Sequence, residues 1–278
     1  MPEGDTIYRS AQTLDRALRG GVVARFTSVL PALTRIDEDR PLAGRTIERV
    51  WSQGKHLLIQ FSNDLVLRTH MRMNGSWHIY RAGERWRRPR SQARLVIETD
   101  AFVAVAFNVP VAEFYTAREL KREPALRDLG PDLLGETFDE AGAVARLRAR
   151  GRLGIGDALL DQRALAGIGN VYKSEVCFVC RINPFTPVDH LSDDALHALV
   201  QAARRLLQAN VAAGTDAGIA TYHPLSRITG GAGPQERLWV YGRARRPCRR
   251  CRTRIERQKQ GPDARSTYWC PQCQGTVQ

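Results

Sequence analysis

The sequence predicts an α+β protein: an N-terminal helix and an antiparallel β-sandwich, followed by a helical domain and a short hairpin that carries cysteines. Three patterns favour this class. Apolar residues recur with a period of two over residues 22–115 and with the period of an α-helix over residues 138–209. Two Cys-x2-Cys pairs stand near the end of the chain. Many short strands followed by a run of helices are typical of a sandwich joined to a second, helical domain.

The first predicted element is an amphipathic helix over residues 5–19. Its apolar face carries Ile7, Ala11, Leu14 and Leu18. Asp5 or Thr6 can cap its start, and Gly20 can end it.

Eight strands are predicted after this helix, with tight turns at Asn63-Asp64 and Thr99-Asp100. The predicted strands are 22–30, 46–52, 56–61, 65–71, 76–80, 93–98, 102–107 and 111–115. The stretch 82–92 between two of them is a basic loop. Its arginines are Arg85, Arg87, Arg88 and Arg90.

The second half of the sequence changes to helical patterns. Residues 121–137 are rich in proline and glycine and are predicted to be a linker. The predicted helices are 138–149, 156–164, 169–181 and 192–209, the last capped by Ser192. Residues 212–235 are long enough to be a functional loop. The predicted domains are 1–120, 138–235 with this loop, and the terminal hairpin 236–278.

The terminal cysteines predict a metal site. Cys248 and Cys251 form one pair, and Cys270 and Cys273 form the other after a gap of eighteen residues. Four thiolates at this spacing are typical of one structural, tetrahedral zinc ion. Two disulfides are the alternative. The neighbouring cations suggest a scaffold that presents arginine to a polyanion: Arg245, Arg246, Arg249, Arg250, Arg252, Arg254, Arg257 and Lys259.

A third Cys-x2-Cys pair is expected to be structural. Cys177 and Cys180 lie three apart within a predicted helix, on a face with apolar neighbours, so we expect buried free thiols rather than a redox pair.

The charge of the chain restricts its partners. The 278 residues carry a formal net charge of +13 and a pI near 10.1, nearly all of it from arginine. Nucleic acid, an anionic membrane or another acidic partner fits such a protein, and arginine favours phosphate. No apolar run approaches the roughly 20 residues that span a bilayer, and no signal peptide is visible. We therefore expect a cytoplasmic protein without a membrane partner.

Pro2 and Glu3 form a candidate catalytic pair. If Met1 is removed, Pro2 presents a secondary amine, and α-amino groups have pKa values near 7.7–8.0. A useful fraction is then unprotonated and nucleophilic at neutral pH. Its attack on an aldehyde-like carbon gives an iminium ion that promotes elimination, and Glu3 is placed to move protons. Many proteins begin this way by chance, so the pair alone does not decide the function.

Two further positions are candidates. Lys55 follows Gly54 at the start of a strand in a chain with lysine only at 55, 121, 173 and 259. A solvated lysine at a strand end is the alternative. Gly167 and Gly169 precede a predicted helix and leave its first N–H groups open to a phosphate, whereas an ordinary turn capped by Asn170 would also fit.

Four motifs in order resemble one known family. They read MPEGDT at 1–6, GKHLL at 54–58, LAGIGNVY at 165–172 and RSTYWCPQCQ at 265–274. The chain resembles the Fpg/Nei family of base-excision-repair DNA glycosylases over essentially its whole length, and its opening resembles the endonuclease VIII (Nei) branch. The resemblance implies a helix–two-turn–helix domain and a zinc-finger hairpin. It also implies a monomer that acts on double-stranded DNA containing oxidised bases or abasic sites.

The resemblance also implies roles for individual residues. Pro2 would be the Schiff-base nucleophile at the sugar C1′ and Glu3 the proton donor. Lys55 would assist β-elimination, and Arg265 would bind phosphate and serve δ-elimination. Asn170 would hold the DNA backbone in the helix–two-turn–helix element.

Further DNA contacts are predicted by position. Met73, in the turn after a strand, would fill the gap left by the flipped base, and its alternative role is to fill the sandwich core. Arg72 and Arg127 would contact phosphates. The formamidopyrimidine branch carries an Arg-x-Phe pair on the next hairpin, but residues 107–111 contain no arginine, so no reader of the opposite base is assigned.

Three functions remain open at this stage. The first is a glycosylase and lyase that excises an oxidised base, with a pyrimidine as the expected lesion, and cleaves the strand by β,δ-elimination. The second is an enzyme of the formamidopyrimidine type that prefers purine lesions. The third is a zinc-dependent DNA-binding protein without catalysis, and only Pro2, Glu3 and Lys55 separate it from the enzyme.

Overall fold

The computed structural model describes residues 2–213, 219–222 and 237–275. The chain folds into two compact units, Met1–Asp128 and Leu129–Gln278. The division falls inside the predicted linker 121–137. Each unit has its own buried apolar core.

The first unit contains the N-terminal helix and the predicted strands. Its elements are α1 (Gly4–Leu18), β1 (Arg25–Ser28), α2 (Pro31–Asp39), β2 (Ile47–Gln53), β3 (His56–Phe61), β4 (Leu65–His70), β5 (Ser76–Arg81), β6 (Ala93–Glu98), β7 (Phe102–Phe107), β8 (Val111–Tyr115), α3 (Ala117–Leu120) and α4 (Pro124–Arg127). The α+β class and the antiparallel arrangement are confirmed.

The strands form two four-stranded antiparallel sheets, ordered β2-β3-β4-β8 and β1-β6-β7-β5. One apolar cluster includes side chains from both sheets and from α1 and α2, as expected of a sandwich. His56 pairs with His70, and Val111 with His70, at one end of the first sheet. Ser76 and Ala93 both pair with Phe107 at one end of the second. The turns 71–75 and 108–110 join these ends, so they form one end of the sandwich, which we call the turn end.

The start of α1 differs from the prediction. The helix begins at Gly4, one residue early, so Asp5 and Thr6 lie within its first turn and neither caps it. Glu3 occupies the N-cap position, where its backbone carbonyl accepts a hydrogen bond from the N–H of Ile7 at 3.0 Å. Gly20 follows the helix with φ of +80°, which confirms its predicted role at the end.

The predicted strand 22–30 is too long. The observed strand stops at Ser28 because Leu30 is the N-cap of α2 and Pro31 is its first residue. Proline fixes φ near the helical value and lacks the N–H that a first helical residue leaves unused, so it starts a helix readily. The sequence patterns did not predict this helix.

The second unit is helical and ends in a hairpin. Its elements are α5 (Glu140–Arg148), α6 (Ile155–Leu160), α7 (Asn170–Val179), α8 (Asp193–Ala213), β9 (Glu256–Gln260), β10 (Arg265–Trp269) and α9 (Pro271–Gln274). The hydroxyl of Ser192 accepts a hydrogen bond from Ala195 N at 3.2 Å, so its predicted capping of α8 is confirmed. Helix α6 ends four residues before its predicted end, and α8 continues four residues beyond its own.

A buried carboxylate joins three segments of the second unit. Glu175, on α7, has no exposed surface. It accepts hydrogen bonds from the backbone N–H groups of Trp239, Val240 and Tyr241 at 2.8–2.9 Å, and from the hydroxyl of Thr221. Most of the predicted functional loop 212–235 lies outside the described residues. Among the described residues, no helix is long and apolar enough to cross a membrane.

Candidate active site

Pro2 and Glu3 lie at the start of α1. Pro2 is half-buried, and Glu3 has no exposed surface. The extended backbone at Glu3 and its carbonyl bond to Ile7 fix the residue at the helix end. A carboxyl group held there is screened from bulk water.

Lys55 occupies the two-residue turn between β2 and β3, where Gln53 pairs with His56. Gly54 has φ of +56°, which the first position of such a turn requires and which glycine adopts without strain. Lys55 is half-buried. Its positive charge helps to lower the pKa of both His56 and His70, so its side chain lies at the turn end of the sandwich.

Two histidines beside Lys55 were not predicted as part of a site. The rings of His56 and His70 meet edge to face with centroids 4.8 Å apart. Burial, followed by neighbouring positive charge, lowers the pKa of His56 to about 3 and that of His70 to about 4. Both rings are therefore neutral at pH 7. His70 Nδ1 accepts a hydrogen bond from the N–H of Arg72 at 3.1 Å, which leaves the proton on Nε2.

Arg68 supports the histidine pair from the middle of β4. Its Nη1 lies 3.3 Å from Nδ1 of His56, and its Nη2 donates to the carboxylate of Glu113 and lies 3.6 Å from Glu123 Oε1. The hydroxyl of Tyr115 donates to Glu113 at 2.8 Å. Arginine cannot lose its proton, so it must donate to His56, and this fixes the proton of that ring on Nε2 as well.

The turn 71–75 presents Met73 and Arg72 at the same end. The side chain of Met73 is 57% exposed, so the alternative that it fills the core is wrong, and Met71 fills that place instead. Arg72 is exposed and has φ of +51°. A side chain at Gly75 would approach the carbonyl oxygen of Met71 to 2.5 Å, so this tight turn needs glycine. The structure thus brings Lys55, Arg72 and Met73 to one end of the sandwich.

Arg127 ends helix α4 and is exposed. Its Nε donates to the neighbouring Asp128 at 2.8 Å, and this bond raises the pKa of the guanidinium. A phosphate would have to compete with that carboxylate. Arg127 as a DNA contact stays a prediction.

In the second unit, Asn170 is the first residue of α7, and Gly169 before it is the N-cap. The alternative that Asn170 caps the helix is therefore wrong. Its Nδ2 donates to the carbonyl of Ser266 on β10 at 2.9 Å. Ser266 directly follows Arg265, so Asn170 lies close to the backbone at Arg265. Its Oδ1 is buried and accepts no hydrogen bond from the described residues.

Two further side chains of α7 hold the hairpin on the same face. Lys173 is fully buried and donates to the hydroxyl of Thr267 at 2.6 Å, and Ser174 accepts from the N–H of Tyr268 at 3.4 Å. Residues at i, i+3 and i+4 lie on one side of a helix, so Asn170, Lys173 and Ser174 form a continuous contact. This contact fixes where strand β10, and hence Arg265, lies relative to α7.

Gln162 holds the turn before α7. Its side-chain oxygen accepts from the N–H of Gly167 at 3.1 Å, and its side-chain nitrogen donates to the carbonyl of Ile168 at 3.0 Å. Gly167 has φ of +107°, a conformation that other residues avoid. Sequence reasoning identified the glycines but missed Gln162, because a lone glutamine carries no pattern.

Arg265 begins β10 directly after the hairpin turn 261–264. Its side chain is 42% exposed and its Nη2 lies 3.3 Å from the exposed carboxylate of Asp263. Such an exposed ion pair contributes little stability, about 0–1 kcal/mol. The guanidinium can therefore exchange this partner for a phosphate.

The four terminal cysteines converge. Their sulfur atoms all lie within 4.8 Å of one another, with Cys251 and Cys270 at 3.4 Å and Cys248 and Cys273 at 3.9 Å. Tetrahedral zinc with bonds of about 2.3 Å separates its sulfur ligands by about 3.8 Å, so the four thiolates fit this ion. A disulfide needs about 2.05 Å, so the alternative of two disulfides is wrong.

Some of the arginines near the cysteines face inward. Arg250 donates to the carbonyl of Phe178 at 3.0 Å, and Arg249 donates to that of Leu238 at 3.0 Å. Arg243 is also buried and bonds two backbone carbonyls. Arg249 is half-buried and helps to fold the second unit, so the expectation that the scaffold presents its arginines outward needs correction there, whereas Arg250 is exposed in spite of its bond to Phe178.

Cys177 and Cys180 are free thiols, as predicted. Cys177 has no exposed surface, whereas Cys180 is half-buried. Burial raises the pKa of Cys177 to about 12 and that of Cys180 to about 11. Thiols with such pKa values are protonated at neutral pH and are poor nucleophiles.

Three family models match the chain in sequence order. Residues 1–110 match the N-terminal domain of formamidopyrimidine-DNA glycosylase, and residues 129–221 match its H2TH domain. Residues 246–275 match the zinc finger found in FPG and IleRS. The terminal hairpin is thus a zinc finger.

Curated relatives match over almost the whole chain. A probable endonuclease 8 2 of Streptomyces coelicolor is 42% identical over 277 residues, which are 99% of this chain and 94% of that protein. The chain belongs to the Fpg/Nei family. Another Fpg/Nei relative, the DNA-(apurinic or apyrimidinic site) lyase Nei2 of Mycolicibacterium smegmatis, is 36% identical over 99% of each chain. These relatives confirm the predicted family, its Nei-like branch, and the class of DNA glycosylase and abasic-site lyase.

Solved structures of the Fpg/Nei family share the fold. The Lactococcus lactis Fpg in complex with abasic-site DNA aligns with a TM-score of 0.82 at 24% identity, and it covers 99% of this chain and 100% of its own. At this identity the likeness concerns the fold alone. The turn 107–111 differs in detail from the formamidopyrimidine pattern, because Phe107 and Val109 are buried and no arginine is present.

Proposed function

We propose that this protein excises an oxidised base from double-stranded DNA and then cleaves the strand at the abasic site. The observation that carries the proposal is the pair at the start of α1, where fully buried Glu3 directly follows Pro2. A sequence identity of 42% with a probable endonuclease 8 2 over nearly the whole chain supports the same reaction. The alternative is a zinc-dependent DNA-binding protein without catalysis. Borohydride trapping, described below, distinguishes the two.

The reaction begins at Pro2. After removal of Met1, its amine attacks C1′ of the damaged nucleotide, the bond from C1′ to the base breaks, and the base leaves with the proton that the amine gives up. Glu3 donates a proton to the sugar ring oxygen as the ring opens, which produces an iminium ion between Pro2 and C1′. The iminium withdraws electrons from C2′, whose proton becomes acidic. Loss of that proton expels the 3′ phosphate, and a second elimination expels the 5′ phosphate.

Lys55 and Arg265 act on the phosphates of the cleaved strand. Lys55 assists β-elimination from the turn between β2 and β3, and Arg265 stabilises the phosphate that leaves in δ-elimination. Charged hydrogen bonds of this kind are about twice as strong as neutral ones. Asn170, which is bonded to the carbonyl of Ser266, contributes to the same backbone contact from the second unit.

Met73 occupies the gap that the flipped nucleotide leaves. An exposed, unbranched apolar side chain on a tight turn can enter a base step. Arg72 and Arg127 are proposed phosphate contacts. One structural zinc ion held by Cys248, Cys251, Cys270 and Cys273 maintains the hairpin that carries Arg265.

An oxidised pyrimidine is the proposed lesion. The endonuclease 8 relatives and the Nei2 lyase are 36–42% identical to this chain. Relatives named formamidopyrimidine-DNA glycosylase are 31–35% identical to it. The missing arginine at residues 107–111 supports the same choice. A panel of duplexes with thymine glycol, dihydrouracil, 8-oxoguanine or an abasic site tests it, and faster excision of 8-oxoguanine would favour the purine-lesion alternative.

Borohydride trapping tests the catalytic role of Pro2. Wild-type protein on abasic-site duplex should give a covalent adduct, because borohydride reduces the iminium ion. Pro2→Gly and a form with extra residues before Pro2 should lose most of it, while Thr6→Ser should trap as wild type does. Equal trapping by the extended form, or a wild-type protein whose mass still includes Met1, would show that Pro2 is not the nucleophile.

A further inference from the structure

The basic loop 82–92, which we call the arginine strap, has no role in the reaction above. Arg85, Arg87 and Arg90 are exposed, and Arg88 is half-buried. None of these four forms an ion pair within the described part of the chain. The one carboxylate of the strap, Glu84, accepts instead from the backbone N–H of Arg81 at 3.0 Å. The strap is therefore a run of positive charge that the protein itself does not neutralise.

Aromatic side chains hold the strap on the outer face of the second sheet. The ring of Trp86 stacks on Tyr80 at a centroid distance of 6.2 Å and meets the edge of Phe107 at 5.8 Å. The guanidinium of Arg90 lies 4.6 Å from the ring centroid of Trp86. The hydroxyl of Tyr80 accepts from the backbone N–H of Arg87 at 3.1 Å. An anchored strap loses less conformational entropy on binding than a free loop does.

The strap returns to the turn end of the sandwich. Gln92 accepts a hydrogen bond from the N–H of Asn108 at 2.8 Å, and its side chain bonds that of Asn108 at 3.2 Å. Asn108 lies in the turn beside the one that carries Met73, since Phe107 pairs with Ser76. The last residues of the strap therefore adjoin the end that presents Lys55, Arg72 and Met73.

The central arginines lie a short way along β5 from that end. The hydroxyl of Tyr80, which accepts from the backbone N–H of Arg87 at 3.1 Å, lies 2.9 Å from Nδ1 of His78, so the strap at Arg87 lies over these two residues of β5. His78 and Tyr80 are two and four residues along the strand from Ser76, or about 7–13 Å at 3.3 Å per residue. Successive nucleotides of one strand of duplex DNA rise about 3.4 Å along the helix axis. For a helix axis that runs along β5, that offset corresponds to about two to four nucleotides.

Polyanionic duplex DNA fits this surface better than a small anion does. Arginine matches phosphate geometry with paired hydrogen bonds, and four arginines over six positions match a series of phosphates rather than one. The groove beside the strap, of about 430 Å³, is open to solvent and is lined by more arginines than carboxylates: Arg25, Arg81, Arg90 and Arg94 against Glu84 and Glu98.

We propose that the arginine strap is a second backbone-binding surface, which holds the duplex about two to four nucleotides from the damaged one. The inference rests on the proposed function, because it assumes that damaged DNA is bound at the turn end. It assigns to Arg87 and Arg88 a contribution to affinity and none to the bond-breaking steps.

The test uses the full-length protein and duplexes that carry a tetrahydrofuran abasic analogue. Arg87→Gln combined with Arg88→Gln should reduce the slope of log K against log salt by about 1.8, at about 0.9 per phosphate contact. Between 50 and 200 mM salt, wild type should then lose about 12-fold more affinity than the variant. A second duplex should extend only one base pair beyond the abasic analogue on the side that covers the strap. With this duplex, the difference in slope between wild type and variant should disappear. Arg85→Gln, at an exposed position, should give about half the change.

Arg118→Gln combined with Arg122→Gln is the matched control, because both side chains are exposed and follow the other end of β8. An equal change in this control, an unchanged slope in the strap variant, or a change independent of duplex length would each overturn the inference. Borohydride trapping at saturating protein separates the two proposals. The strap variant should trap as wild type does, whereas a wild type that does not trap would refute the proposed function instead.

Discussion

Arg265 illustrates how a single residue can matter for cleavage and little for stability. Arg265→Ala should reduce strand cleavage about 10- to 100-fold, because a hydrogen bond between charged groups contributes about 1.5–3 kcal/mol. The protein should keep its zinc and its thermal midpoint, since the pair with Asp263 is exposed. Single-turnover cleavage of abasic-site duplex measures the effect. Arg257→Ala, on the neighbouring strand β9, is the control, and cleavage unchanged by Arg265→Ala would remove Arg265 from the site.

The histidine pair predicts an acid-sensitive fold. The folded pKa values of about 3 for His56 and about 4 for His70 lie below the ordinary 6.5. As pH falls below 6.5, the unfolded chain takes up protons that the folded pair does not. Stability is therefore complete above about pH 6.5 and declines between pH 6.5 and 4, by up to about 1.4 kcal/mol per pH unit for each histidine.

Urea unfolding at pH 7 and pH 5 tests this expectation. His56→Gln keeps an acceptor for Arg68 but removes one titrating group, so its stability should fall less between the two pH values than that of wild type. His190→Gln changes an exposed ring and should leave the wild-type difference in place. An identical difference in His56→Gln and wild type would contradict the assignment.

The same residues show what the sequence could and could not predict. Cysteine spacing predicted the metal cluster, because the Cys-x2-Cys geometry is local. Arg68 was not predicted, since its partner Glu113 is 45 positions away and only the pairing of β4 with β8 brings them together. Glu175 was missed for the same reason, because its partners are 46 to 66 positions away. Gln162 bonds residues only five and six positions on, but a lone glutamine carries no pattern.

At the scale of elements, helix α7 depends on the carboxylate of Glu175. Glu175→Gln should destabilise the second unit by about 3 kcal/mol, because an amide NH2 group would face backbone donors in a buried site. Glutamine and glutamate have similar helix propensities, so the change isolates these bonds. Urea unfolding measures the loss.

Glu140→Gln is the matched control for this helix prediction. Glu140 bonds His197 and Gln201, but it lies at a partly exposed position on α5, so the same substitution there should cost less than about 1 kcal/mol. Equal losses in the two variants would show that the bonds to Trp239, Val240 and Tyr241 are not responsible.

Elements were predicted best where turn residues bound a short apolar or alternating run. Strands 56–61, 93–98, 102–107 and 111–115 have the predicted bounds, because each alternates or is bounded by clear turn residues. The start of α1 and the length of β1 were wrong. In both cases a backbone group one or two residues outside the apolar pattern sets the boundary, as Glu3 and Pro31 show.

At the scale of the whole molecule, the net charge of +13 predicts strongly salt-dependent binding. A protein that neutralises about six phosphates should show a slope near −5 in log K against log salt. Fluorescence anisotropy with an intact duplex between 50 and 200 mM salt measures it. An undamaged duplex of the same length should give a similar slope, because phosphate contacts do not depend on sequence. A slope shallower than about −1 would argue against an electrostatic DNA surface.

The motifs predicted the family because each combines several constrained residues in order. Base preference is harder to predict, since it depends on the shape of a pocket and not on any one residue type. The arginine strap was visible as a basic loop, but only the stacking of Trp86 on Tyr80 shows that the loop is anchored.

The bonds made by Glu175 also affect how this protein can evolve. Together with the hydrogen bonds from Thr221 and Tyr222 to the carbonyl of Arg237, they hold residues 221–222 beside residues 237–241. All of these bonds are made by residues outside 223–236. Doubling the length of such a connection costs only about 0.6 kcal/mol of closure entropy. Changes in the length of the sequence between Tyr222 and Arg237 are therefore expected to cost little stability, so this length can vary among descendants of the gene.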